Sequence, residues 1–181
     1  MHQERARSRV FLRPPTELDI PELAIMRRDR ELQHTLLAYP AVEPPSDLDI
    51  AAWLARRTSE RGGCFLVVSD YDNTFIGYVQ IFDVHIKGRH AKLGIAIRSE
   101  RRGEGYGKPI IESLCNHAST ALGLIKLILE TRFDNQRAIR LFENTGFHRI
   151  GICRQHYDDG HMRHDILLME RILKTRNDVI R

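Results

Sequence analysis

The chain has 181 residues, enough for one domain with a sizeable core and too few for two. Its composition is 42% hydrophobic and 29% charged, ordinary for a globular protein, and its net charge of +4 suits a phosphate-bearing small molecule but is too mild to argue for nucleic acid. Cys64, Cys115 and Cys153 form no CxxC pair, so they read as buried thiols of a reducing compartment and not as a disulfide framework or zinc site.

No run is apolar and long enough to span a membrane. "ALGLIKLIL" is short and interrupted by Lys126, and "MHQERARSRV" has charge with no apolar stretch after it. Arg5, Arg7 and Arg9 raise the question of a mitochondrial presequence, which Glu4 and a strand pattern starting at Val10 argue against. The expectation is a cytoplasmic protein with no membrane partner.

Val10 to Arg13 reads as a first strand, stopped by Pro14-Pro15. Thr16 caps a helix with Pro21 in its early turns, where a missing N–H does little harm, and Leu18, Leu23, Ile25 and Met26 fall at near-helical spacing. A loop with Tyr39-Pro40 and Pro44-Pro45 follows. Ser46 then caps a second helix through Ala51, Trp53, Leu54 and Ala55, ended by Gly62-Gly63. "CFLVVSD" and "TFIGYVQIFDVHI" read as strands joined by the hairpin signal "YDN", and "AKLGIAIR" as a third strand after Lys87-Gly88-Arg89. A helix is predicted from Lys108 to about Leu122, with Ile110, Ile111, Leu114, Cys115 and Ala118 as its apolar stripe. "LIKLILETR" is another strand, "NQRAIRLFENTG" another helix, and "FHRIGICRQHY" with "HMRHDILLMERI" a final strand pair around Asp158-Asp159-Gly160. The order β, α, α, β, β, β, α, β, α, β, β predicts one mixed α/β domain over residues 8–173. A short charged tail, 174–181, is expected to fray.

The stretch "RRGEGYGKP", Arg101 to Pro109, lies between a strand and a helix. It fits neither familiar phosphate loop. Counting from Gly103 or Gly105, the third glycine of a dinucleotide fingerprint is replaced by Lys108 or Ile110, and a Walker A loop would need glycine at Arg102 and Ser or Thr at Pro109. Glycines still let backbone N–H groups turn inward, a helix start adds partial positive charge, and Arg102 and Lys108 can add full charges, so an anion site competes here with a plain tight turn. In the preceding strand Ala91, Leu93, Ile95 and Ile97 share one face, and Lys92, Gly94, Ala96 and Arg98 the other. Small residues at the centre of that second face leave space for a long thin ligand with phosphates at one end.

These residues resemble the GNAT superfamily of N-acetyltransferases. Arg102-Gly103-Glu104-Gly105-Tyr106-Gly107 matches its (Gln/Arg)-x-x-Gly-x-(Gly/Ala) acetyl-CoA loop, and "NQRAIRLFENTGF", Asn135 to Phe147, is similar to its Asn-x-x-Ala-x-x-Leu-(Tyr/Phe)-x-x-x-Gly-Phe element. The matching region covers about Phe65 to Arg171, and the resemblance is strongest to the branch of ribosomal-protein N-terminal, spermidine and nucleotide-sugar amine acetyltransferases. It implies a single-domain fold with a mixed, mostly antiparallel central sheet flanked by helices. It implies acetyl-CoA as co-substrate with no metal: backbone at Ile95 and Ile97 along the pantetheine arm, N–H groups of Arg102, Gly103, Glu104, Gly105, Tyr106, Gly107 and Lys108 on the diphosphate, and Asn135 near the thioester. The implied partner is an amine-bearing acceptor, and dimers are common among relatives, which makes a homodimer an expectation.

A primary amine of pKa ~10 must lose a proton before it attacks a thioester, and the oxyanion that forms needs an N–H donor, which the strand near Ile95 can supply. No side-chain nucleophile or metal is required. The base expected from the resemblance is Glu130, five residues before Asn135; the competing role is a structural carboxylate paired with Arg132 or Lys126. Two positions depart from the pattern: Phe142 stands where many relatives place a tyrosine acid, leaving Tyr106, Tyr157, water or unassisted departure of the thiolate, and Lys92 stands where some place a carboxylate. His161 and His164 are an odd number apart on a strand and cannot share a metal; His85, His90 and His148 read as surface or packed imidazoles, and Trp53 as core. Two alternatives remain: a domain that binds coenzyme A without turnover, prompted by Phe142, and an enzyme acting on charged transfer RNA, for which a coherent basic face is wanting. "VEPPSDLD" is the acidic loop on which a polyamine acceptor would have to rely.

Overall fold

A computed structural model describes residues 10–38, 43–59 and 61–174. Tyr39 and Pro40, placed in a loop from the sequence, lie outside the described residues, as does the tail beyond Lys174. Strand β1 (Phe11–Arg13) leads into a 3-10 turn (Glu17–Asp19), then α1 (Ile20–Arg28), α2 (Arg30–Thr35) and α3 (Asp47–Thr58). Strands β2 (Cys64–Ser69), β3 (Phe75–His85) and β4 (His90–Ile97) come next, then a 3-10 turn (Ser99–Arg101) and α4 (Gly107–Thr120). The chain closes with β5 (Lys126–Arg132), α5 (Gln136–Glu143), β6 (His148–Asp158) and β7 (Arg163–Ile172).

The seven strands form one sheet in the order β1-β2-β3-β4-β5-β7-β6. Every neighbouring pair is antiparallel except β4 with β5. In β5 the alternation expected of a strand is plain: Leu127, Leu129 and Thr131 are buried, while Ile128, Glu130 and Arg132 are half-buried on the opposite face. One core lies on the α4–α5 side, with Ile110, Ile111 and Leu114 of α4 and Ile139 and Phe142 of α5 packed against Val79, Leu93, Leu127 and Leu129. A second core lies on the other face, where Leu23 and Met26 of α1 and Ile50 of α3 cover Phe65, Val67, Tyr78 and Ala96. Among the described residues no helix is long and apolar enough to cross a membrane.

The N-terminal helices differ from the expectation. Thr16 starts a 3-10 turn rather than an α-helix, which leaves Leu18 88% exposed; in α1 Leu23 and Met26 are buried as expected, but Ile25 is 50% exposed and Ala24 takes the buried position. Helix α2 was not foreseen; Asp29 ends α1 in extended backbone and caps α2, its Oδ1 accepting from the Leu32 N–H at 2.9 Å. Ser46 does cap α3, with Asp49 completing the capping box, but the helix ends at Thr58, before the glycine pair.

Buried Asp19 ties β1 to this region. Its carboxylate accepts from Arg13 Nη1 and Nη2 at 2.8 and 2.7 Å and from the Thr16 N–H at 2.7 Å. Burial alone would raise the Asp19 pKa, but the bonds from Arg13 and Thr16 outweigh it and hold the carboxyl below its ordinary value. A depressed folded-state pKa adds stability above the unfolded pKa of ~3.9, lost as pH falls through the lower folded value. Asp19→Asn is therefore expected to cost about 1–3 kcal/mol near neutral pH in urea denaturation. The gap from the parent should narrow at strongly acid pH; an equal gap at both would refute the assignment.

Candidate active site

Strands β4 and β5 pair only at His90–Lys126, Ala91–Leu127 and Lys92–Ile128. Beyond that point β4 stays paired to β3 through Ile97, and β5 to β7 through Arg132. The facing edges of Leu93–Ile97 and Leu129–Arg132 are thus left without a strand partner. Backbone N–H and C=O groups along such an edge can pair with an extended ligand, except the Ile97 carbonyl, which a side chain of the following loop occupies. The divergence opens a cleft of ≈1150 Å³ lined by both strands, by the glycine loop, α5 and Asn135, and on the opposite face by residues of α1, α3 and β3.

At the end of β4 the chain makes its 3-10 turn and enters the loop. Gly103 and Gly105 have φ of +89° and +88°, which other residues rarely adopt. Gly107 opens α4 against α5: a Cβ there would sit 2.6 Å from Leu141 Cδ2. Among the described residues the N–H groups of Gly103 to Lys108 donate to no protein acceptor. Successive unsatisfied donors at the start of a 14-residue helix form an anion cradle.

The side chains of the loop divide the work differently from the sequence expectation. Arg102 does not stand free: its Nε donates to the Ile97 carbonyl at 3.1 Å, while its Nη2 is buried without a partner. Lys108 is exposed, 3.9 Å from Glu112, and contributes to the cradle through backbone. Tyr106 is buried, and Arg101 Nη2 donates to its hydroxyl at 2.6 Å and to Asp70 Oδ2 at 3.1 Å, bracing the loop from behind. Glu104 reaches Arg101 at 3.4 Å.

Further along the cleft, Asn135 caps α5 by accepting from the Ala138 N–H at 3.1 Å, which leaves its amide NH2 to donate. Glu130 lines the cleft, and its partner is neither Arg132 nor Lys126 but Lys92, at 2.9 Å. Arg132 pairs with Asp134 at 2.5 Å and Lys126 with Glu170 at 3.0 Å. The contact with Glu130, outweighing burial, raises the Lys92 pKa, and Asp83 lies 3.4 Å from the same ammonium. Phe142 is buried against Phe147 at a ring distance of 5.6 Å and lines the cleft with a bare ring. Of the alternative acids, Tyr157 is outside the cleft lining, its hydroxyl 3.0 Å from His34 Nδ1 and donating to the Ala38 carbonyl.

On the wall opposite the loop, the sequence reading did not single out Arg27, Tyr78 or Gln80 and took Trp53, in the N-terminal helical region that the resemblance puts beside the acceptor, for core. There the Arg27 guanidinium lies over the Trp53 ring, which meets Tyr78 edge-on, and the side chain of Gln80 covers Gly94. The sequence reading also missed Asp159, which joins the lining; bonds from His164 and from the Met162 and His161 N–H groups hold its carboxyl far below the usual range. An arginine at a helix end and a tyrosine within a strand carry no motif. The one available signal was that Tyr78 and Gln80 share a spacing of two. Among the described residues no group of three or more His, Cys, Asp or Glu is disposed to hold a metal ion.

The family model for the acetyltransferase (GNAT) domain matches residues 9–148. Spermidine N(1)-acetyltransferase of Vibrio cholerae is 31% identical over 81 residues, 45% of this chain and 47% of that one. The [ribosomal protein bS18]-alanine N-acetyltransferase of Salmonella typhimurium is 32% identical over 75 residues, 41% of this chain and 50% of that one. The matched segment thus spans about half the length of these curated relatives. In solved structures, the Vibrio cholerae spermidine N-acetyltransferase in complex with CoA and spermine superposes with a TM-score of 0.85 at 21% identity, covering 92% of this chain and 96% of that one.

Proposed function

The chain belongs to the GNAT family of acetyltransferases, and from that membership we propose that it transfers an acetyl group from acetyl-CoA to the primary amine of a small molecule or protein N-terminus. The observation that carries this reading is the combination of an unpaired β4 edge with a helix-start loop whose N–H groups are undonated. The residues fit the co-substrate: Gly103 to Lys108 would hold the diphosphate, the edge at Ile95 and Ile97 the pantetheine arm, and the Asn135 amide a group near the thioester.

The acceptor enters from the α1–α3 side. Its nitrogen attacks the thioester carbonyl; an N–H near Ile95 stabilises the oxyanion; the C–N bond forms, the C–S bond breaks, and the amine proton passes to a base while the thiolate of pKa ~8.5 departs. Glu130 is the proposed base, held by Lys92 at the mouth of the cleft. With a bare phenyl ring at Phe142, the thiolate leaves as the anion or takes a proton from water. The reaction so written needs no metal, and a cytoplasmic setting is proposed from the three free cysteines.

Acetyl-CoA binding by calorimetry, followed by thiol release across an amine library, tests the assignment; binding without release from any amine would instead favour the non-catalytic reading prompted by Phe142. Glu130→Gln is expected to lower kcat by about 100-fold, most at low pH, with little change in acetyl-CoA affinity. An unchanged pH–rate profile would remove Glu130 from the mechanism and leave it as the partner of Lys92.

A further inference from the structure

We propose that the acceptor amine also carries an oxyanion, a carboxylate or a phosphate, which Arg27, Arg57 and the Tyr78 hydroxyl hold at the α1–α3 end of the cleft. This deepens the acetyltransferase reading and rests on it.

Arg27 differs from four arginines placed around the same helices and the end of β4. Arg13 has Asp19, Arg28 has Asp47 at 2.8 Å, Arg98 has Glu22, and Arg101 has Asp70. Arg27 forms no ion pair among the described residues, although its Nε is buried and without a partner. Its one side-chain bond is neutral, from Nη1 to Gln33 Oε1 at 2.5 Å. Gln33 is itself buried and fixed, its Nε2 donating to the Met26 carbonyl at 2.8 Å, so its oxygen is turned toward the guanidinium.

The guanidinium is also held from the side. It lies 5.0 Å from the centroid of Trp53, whose ring packs edge-on against Phe65 at 5.2 Å and Tyr78 at 5.9 Å. A cation so placed is held in position, partly dehydrated and, among the described residues, without an ion pair. Burial lowers the Arg27 pKa, and the charges of Arg57 and Arg56 act in the same sense. That is an energetic cost to the free protein which a bound anion would relieve.

Arg57 adds a second cation to the same wall and forms no ion pair among the described residues. Burial pushes the Tyr78 phenol up to about 12 against the opposing charges of Arg27 and Arg57, so it stays a neutral donor at any ordinary pH. Three carboxylates of this half of the cleft are engaged elsewhere: Glu130 with Lys92, Asp134 with Arg132, and Asp159 with His164 at 2.6 Å. Glu31, also in the lining, forms no ion pair among the described residues, with these arginines or with any other cation. In the acidic loop Asp47 pairs with Arg28 and Asp49 caps α3, while Glu43 is exposed and is not part of the cleft lining. A polyamine would therefore bring its second ammonium against two cations without an ion pair among the described residues, with Glu31 as the lining carboxylate left to receive it, whereas a forked oxyanion matches guanidinium donors and a hydroxyl.

The site lies apart from the coenzyme loop. Tyr78 pairs with Ala96 on the sheet face covered by α1 and α3, while α4 and α5 pack on the other. The test is thiol-release kinetics at fixed acetyl-CoA with matched amines: β-alanine and glutamate as carboxylates, phosphoethanolamine as the phosphate, and propylamine, ethanolamine and spermidine without an anion. The expected result is a kcat/KM at least about tenfold higher for one anionic class, which also tells carboxylate from phosphate. Arg57→Gln, at a half-exposed position, should raise KM for that acceptor about tenfold and leave the calorimetric affinity for acetyl-CoA unchanged; Arg27→Gln should do so more strongly. Equal use of propylamine or spermidine, or an acceptor KM indifferent to Arg57→Gln, overturns this inference and leaves the acetyltransferase reading standing. No release from any amine while acetyl-CoA still binds overturns both.

Discussion

Gly105→Val is expected to weaken acetyl-CoA binding by about one to two orders of magnitude while the folded protein loses little stability. Nothing lies within 4 Å of the position a Cβ would take at Gly105, so the substitution meets no neighbour. The penalty is in the backbone alone, at a φ of +88° that a β-branched residue resists by ~1–3 kcal/mol. The free loop can relax toward negative φ, which turns its N–H groups away from a common centre. Binding must then restore the strained form, and ~1–3 kcal/mol corresponds to about 5- to 150-fold in Kd. Calorimetry with acetyl-CoA reads the affinity and a thermal melt reads the fold. Unchanged affinity would mean that these amides do not hold the diphosphate, and the assignment of the site would fall with them.

Gly77→Ala should be the most damaging glycine-to-alanine change among the described residues, costing about 3 kcal/mol or more, or preventing folding. A Cβ at Gly77 would overlap the Ala96 carbonyl oxygen and come within 3.0 Å of the Ala96 carbonyl carbon and 3.1 Å of Ile97 Cα. All three are backbone atoms of β4, and no rotamer change can relieve them. Gly94→Ala is the control. It meets the Gln80 side chain, with Nε2 at 2.8 Å, which can swing aside, so its cost should be smaller by at least about 1 kcal/mol. Urea denaturation of the two variants decides the matter, and a milder effect at Gly77 than at Gly94 would contradict this packing.

Both predictions concern residues whose roles were unequally visible beforehand. The alternation of β4, the apolar stripe of α4 and the Ser46 cap are local patterns, and they stand in the structure where the chain suggested them. Gly105 belonged to a motif with fixed spacing. Leu18 misled because it falls in a three-residue 3-10 turn, and Ile25 because it lies about 200° round the helix from buried Leu23, while α2, six residues long, is too short for any period to show. The divergence of β4 from β5 depends on which edges pair, information spread over four strands. The same holds for Glu130, whose partner comes from the neighbouring strand, and for Arg27, Trp53 and Tyr78, which arrive from two helices and a strand. Side chains gathered from distant stretches leave no trace in linear order.

The three-pair seam between β4 and β5 also bears on mechanics. Among the described residues it is the sole strand pairing that joins the N-terminal and C-terminal leaves of the sheet, and beyond it no ladder hydrogen bond holds the two rims together. A coenzyme lying along both exposed rims would act as a rivet across that gap. Saturating it should lift the melting temperature and slow amide exchange on the two rims together, making the small molecule as much a part of the architecture as of the chemistry.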